Sequence, residues 1–64
     1  MSKPDPYQEL FEFMEDYDNA ELNEYDWREN MIDRVTEYNW SHKKNYVPER
    51  MLRLYIQWKN RQDQ

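Results

Sequence analysis

Carboxylates are the most numerous groups capable of chemistry in this 64-residue chain: 14 Asp and Glu stand against nine Lys and Arg and one His. Seven of them, Glu9, Glu12, Glu15, Asp16, Asp18, Glu21 and Glu24, are crowded into one short stretch. Such a cluster could bind a metal ion, move protons, or imitate the charged backbone of a nucleic acid. A calcium loop beginning at Asp16 fails, because it needs an oxygen ligand at its fifth position, Gly at the sixth and Glu at the twelfth. The chain offers Ala20, Glu21 and Trp27 there. A di-iron site needs a Glu-x-x-His pair from each of two helices. Here Glu37 and His42 are five residues apart and the pattern does not recur. No metal and no cofactor are therefore expected.

Nucleophilic chemistry is equally poorly supplied. The chain has no Cys and no Gly. That removes thiol catalysis, Cys-based zinc sites and disulfides, together with the glycine loops that cradle phosphates. The single imidazole, His42, falls in a polar segment beside Ser41. Adjacent residues are not expected to face each other as a catalytic pair, so His42 reads as a solvated loop histidine. No catalytic residues are assigned, and the chain reads as a non-enzyme.

Charge is unevenly distributed. Residues 1–40 hold 12 acids and three bases, a balance of −9, whereas residues 41–64 hold two acids and six bases, a balance of +4. The simplest reading is an acidic first helix packed near a basic third one, which lowers repulsion inside the fold. A functional reading makes the acids a DNA mimic that occupies the nucleic-acid site of a DNA-binding protein, with Glu9, Glu12, Glu15, Asp16 and Asp18 as the phosphate-like row. The basic end suggests the opposite. Arg50, Arg53, Gln57, Asn60 and Arg61 would face away from the apolar stripe of the last helix, which comes after a polar turn as in a helix-turn-helix unit. A net charge of −5 opposes nucleic-acid binding at physiological salt.

Aromatic residues are the remaining resource: three Trp, six Tyr and two Phe. The mean hydropathy of -1.49 would suggest disorder, but that index counts Tyr and Trp as polar. Each buries on the order of 150–250 Å². A core in a chain of this size accommodates about 12–15 buried side chains, as burial of about 60% of the unfolded surface implies. Phe13, Tyr25, Trp40 and Tyr46 lie off the apolar stripes. Surplus Tyr and Trp either cover helix ends or form a protein-binding surface, where these types are enriched.

Positioning these groups requires helices. Tyr7, Leu10, Phe11, Met14 and Tyr17 recur at spacings of three and four, which predicts a helix over about 6–18, started by Asp5-Pro6. Trp27, Met31, Val35 and Tyr38, with Leu22 and Ile32 adjacent, predict a second helix within 20–40. Asn23 and Asp26 form a weak capping pair there, and residues 20–25 are left undecided. Residues 41–46 read as a loop. Pro48 opens a third helix over about 48–61, with the stripe Met51, Leu54, Tyr55 and Trp58 flanked by Leu52 and Ile56. The ends, 1–5 and 62–64, should fray. No β-alternation of useful length appears.

The fold class predicted is all-α, a small three-helix bundle with short connections forming one domain over 1–64. The function expected is a small non-enzymatic protein-binding module, an adaptor, regulator or inhibitor that occludes a protein partner. Phe13, Trp40, Arg50 and Arg53 are its candidate contact residues. A homodimer also fits. With no more than three consecutive apolar residues and no leader-like start, no membrane partner is expected, and a cytoplasmic location is.

Overall fold

A computed structural model describes residues 6–62. It contains three helices in an all-α bundle: α1, Gln8–Asp16; α2, Glu24–His42; and α3, Pro48–Gln62. No strand occurs among the described residues.

Helix α1 begins later than the Asp5-Pro6 signal suggests. Asp5 lies outside the described residues. Pro6 and Tyr7 form a turn, and the Tyr7 carbonyl accepts the first bond, from Phe11 N–H at 2.9 Å, with no side-chain cap. The helix ends in a tightened turn, where Tyr17 N–H bonds Met14 O at 3.1 Å and Asp18 N–H bonds Glu15 O at 3.2 Å.

Two asparagines then keep residues 19–23 out of α2. Asn19 Oδ1 accepts from Glu21 N–H at 3.0 Å, a local turn that competes with helix. Asn23 caps α2: its Oδ1 accepts from Asp26 N–H at 2.8 Å while its Nδ2 donates to Asp26 Oδ2 at 3.1 Å. The expected capping pair forms, and it sets the start at Glu24 instead of residue 20. At the other end α2 runs on through His42, so the connection to α3 is residues 43–47. Pro48 opens α3 with Val47 O accepting from Met51 N–H at 3.0 Å. Glu49 in the first turn and Lys59 and Arg61 in the last suit the helix dipole.

Ten side chains form the buried core: Leu10, Phe11 and Met14 from α1; Met31, Val35 and Tyr38 from α2; Met51, Leu52, Tyr55 and Trp58 from α3. Tyr7, Phe13, Trp27, Ile32, Tyr46 and Leu54 pack partly buried against it. The face of α3 is rotated from the sequence expectation: Leu52 is inside and Leu54 only half-buried. Tyr17, placed on the stripe of α1, is instead exposed, its ring under the Arg34 guanidinium at 5.0 Å.

Polar side chains tie α1 to α3. Trp58 Nε1 donates to Gln8 Oε1 at 3.0 Å, and Lys59 Nζ to Glu15 Oε2 at 2.8 Å. Asp18 just beyond α1 accepts two bonds of 2.6 Å, from Tyr55 Oη on one oxygen and Trp27 Nε1 on the other. That carboxylate joins all three helices. Burial, and then the hydrogen bond to the Asp18 carboxylate, push the Tyr55 hydroxyl well above its ordinary pKa.

Candidate functional site

The C-terminal end of α2 presents the most exposed large aromatic. Helical periodicity turns Trp40 away from Tyr38, which faces the core, and leaves its indole 87% exposed. The chain then turns sharply. Lys43 adopts the left-handed conformation, φ 55° and ψ 47°, the sole positive φ among the described residues. Its N–H and that of Lys44 both reach the Asn39 carbonyl.

The side chain of Asn39 fixes the backbone beyond this turn. Its Nδ2 donates to Tyr46 O at 2.8 Å and its Oδ1 accepts from Tyr46 N–H at 3.1 Å. This pair of bonds pins the connection against α2 and seats the Tyr46 ring between two others. Tyr7 meets it edge-on at 5.4 Å, and Tyr38 lies near-parallel at 6.3 Å. Burial, Glu9 and Tyr46 together raise the Tyr38 hydroxyl above its usual pKa.

Two hollows flank this strap. A shallow one of about 510 Å³ is lined by Thr36, Asn39, Trp40, Lys44, Asn45 and Tyr46. The other, about 390 Å³, lies between Pro6–Leu10 and the side of Tyr38, Lys44 and Tyr46. Lys43 and Lys44 are exposed, and neither has an ion pair among the described residues.

His42 sits in the last turn of α2 and not in a loop. Its ring stacks on Tyr38 at 4.0 Å. Contrary to expectation, it does meet Ser41: Oγ is 2.9 Å from His42 Nδ1, and the same Nδ1 is 3.2 Å from Tyr38 O. Ser41 Oγ also reaches that carbonyl at 3.3 Å. The three groups close a local network on a helix-terminal carbonyl, where donors are needed. Activation of a serine nucleophile would require a third group to orient the imidazole, and the carbonyl occupies the same ring nitrogen instead.

The sequence-predicted contact residues are scattered. Trp40, Arg50 and Arg53 are exposed, the first on α2 and the others on α3. Phe13 is half-buried, its ring 5.2 Å from Tyr17 and 5.6 Å from Tyr38, so its off-stripe position does not leave it free. Of the acids in the mimicry row, Glu9, Glu12 and Asp16 are exposed, but Glu15 pairs with Lys59 and Asp18 is committed to Tyr55 and Trp27. Among the described residues no three His, Asp or Glu side chains are grouped to hold a metal ion, and no helix is long and apolar enough to cross a membrane. Sequence reasoning missed Asn39, Lys43, Lys44 and Tyr46 as parts of one surface. An asparagine seven residues before a tyrosine carries no signal until the helix end is known. No protein-family model matches the chain, and no curated protein or solved structure matches it.

Proposed function

We propose that the chain is a small non-enzymatic protein-binding module that occludes part of a protein partner, with Trp40 as its main anchor and Arg50 and Arg53 as secondary contacts. One observation carries the reading. The two other tryptophans place their N–H on acceptors, Trp27 on Asp18 and Trp58 on Gln8, whereas Trp40 is 87% exposed and its N–H has no hydrogen-bond partner among the described residues. An exposed amphipathic ring is useful at an interface, where the few residues that carry most of the binding energy are enriched in Trp, Tyr and Arg. The hollow beside Trp40 gives a contacting side chain somewhere to sit.

The test uses a photo-crosslinker placed at position 40 to identify the partner, followed by affinity measurements on variants. Trp40→Ala should weaken binding more than tenfold, with helicity intact. Arg50→Ala and Arg53→Ala should each weaken it less. If all three leave binding unchanged while Glu12→Lys with Asp16→Lys abolishes it, the DNA-mimic reading replaces this one.

A further inference from the structure

We propose that the surface around Trp40 receives an extended, acidic segment of a partner protein, with an apolar side chain on the indole and carboxylates on Lys43 and Lys44. This rests on the protein-binding reading above and adds the chemistry of the occupant.

Charge complementarity is local. Lys44 borders both hollows, and Lys43 precedes it without an ion pair among the described residues. The acid nearest to Trp40 in the turn before it, Glu37, is already 3.5 Å from Arg34. The acids of the first turn of α2 are far away. At 1.5 Å per residue Asp26 stands about 21 Å along the axis from Trp40. That exceeds two Debye lengths of about 8 Å at physiological salt, so those acids are screened. The acids that share the region with Lys43 and Lys44 are Glu9, which lines the smaller hollow with Lys44, and Asp33, about 10 Å back along α2 from Trp40.

Backbone strain points to the same place. A residue that ends a helix in the left-handed region is usually Gly or Asn, because a Cβ is disfavoured there. Here the position is Lys43. Strain held next to a cation that has no ion pair among the described residues, and beside an exposed indole, is the pattern of a functional site. Asn39, through its two bonds to Tyr46, fixes the strap before anything binds, which lowers the ordering cost of association.

A single-stranded nucleic acid is the competing occupant. It needs successive stacking platforms along a basic groove. Tyr46 is engaged by Tyr7 and Tyr38, so Trp40 is one platform alone. An extended peptide needs no second platform, since alternate side chains diverge to different contacts.

The experiment displays random dodecapeptides, selects them on the full chain and counter-selects on Trp40→Ala. Enriched peptides should carry Asp or Glu within a few residues of a large apolar side chain. The affinity of one such peptide should fall at least tenfold in Lys43→Gly/Lys44→Gln, and should also fall as salt rises from about 50 to about 500 mM. Lys43→Gly alone should weaken the peptide yet raise the melting temperature, which separates a charge role from a structural one. Trp40-dependent peptides without acidic enrichment, or indifferent to both lysine replacements, would overturn the acidic occupant and leave the protein-binding reading standing. Oligodeoxythymidylate bound more tightly than any selected peptide would overturn the peptide class. If no peptide depends on Trp40, both readings fall.

Discussion

Trp27 and Trp40 lie on the same helix and have opposite fates. Trp27, near the start of α2, points its N–H at Asp18 and joins a node that also holds Tyr55. Trp40, 13 residues on, is rotated by roughly 140° to the outer face. One indole is consumed by the fold and the other is offered to solvent. The difference shows what an exposed aromatic count cannot: residue type is uninformative until its polar atom is traced to an acceptor. At the Asp18 end one carboxylate takes both the Trp27 N–H and the Tyr55 hydroxyl and ties the helices together. At the Trp40 end the ties hold a backbone strap in place and leave side chains free.

The sharpest way to break this contrast is to remove the node. Asp18→Ala leaves the buried Tyr55 hydroxyl and the Trp27 N–H without acceptors. Charge-assisted bonds contribute about 1.5–3 kcal/mol each, so the loss should approach 4 kcal/mol in urea unfolding. A domain this size has on the order of 3–10 kcal/mol in total, so the variant should be partly unfolded at room temperature. A loss below about 1 kcal/mol would mean that water replaces the carboxylate, and the two ends of α2 would no longer differ in kind.

Next in size is the core face of α3. Leu52→Ala should cost about 3 kcal/mol, and Leu54→Ala about 1 kcal/mol, because the latter is only half-buried. Periodicity alone ranks them the other way. The all-α architecture is legible because stripes at spacings of three and four demand helices and admit no strand pairing. The Asn23–Asp26 cap and the Pro48 start are legible because capping is local chemistry. What the sequence conceals is the rotation of each helix about its axis. That rotation comes from jigsaw fitting between Leu52, Tyr55 and the side chains opposite, and a stripe wide enough to include both leucines does not specify it. The same limit hides the site. Trp40 and Phe13 are both off-stripe, yet Trp40 stays exposed while Phe13 finds the Tyr38 and Tyr17 rings. Asp18 groups with surface acids in the sequence, since nothing in its neighbours announces Trp27 and Tyr55.

Alkaline titration probes the node with a smaller perturbation. The Tyr55 hydroxyl is held neutral in the fold, its pKa raised above the unfolded value of 10.0. A group whose folded pKa is raised keeps its full stabilising contribution below the unfolded pKa and loses it above. Stability should therefore be level up to about pH 10 and fall beyond it by up to about 1.4 kcal/mol per pH unit for this group. Tyr38, raised mainly by burial, adds in the same direction. Tyr55→Phe should begin less stable at neutral pH, having lost its bond to Asp18, but decline less steeply above pH 10. Parallel decline of the two proteins in pH-dependent thermal melts would remove Tyr55 from the account.

The smallest expected effect is the one that bears most on function. Trp40→Ala removes a ring that is 87% exposed, so little apolar area returns to water. Among the described residues its N–H has no hydrogen-bond partner to lose. Ala is also the better helix former by a few tenths of a kcal/mol. The melting temperature should stay level or rise slightly, with a change in stability within about 0.5 kcal/mol, as for surface sites generally. Trp27→Ala is the control on the same helix. It strips an indole that packs on the core and anchors Asp18, and it should cost about 2–3 kcal/mol. The pair of variants separates two accounts of an aromatic-rich chain. If Trp40 were merely covering a helix end, removing it would expose what lies beneath and lower stability by more than about 1 kcal/mol. If it is an anchor for a partner, the isolated chain has nothing to lose, and the cost appears only when the partner is present.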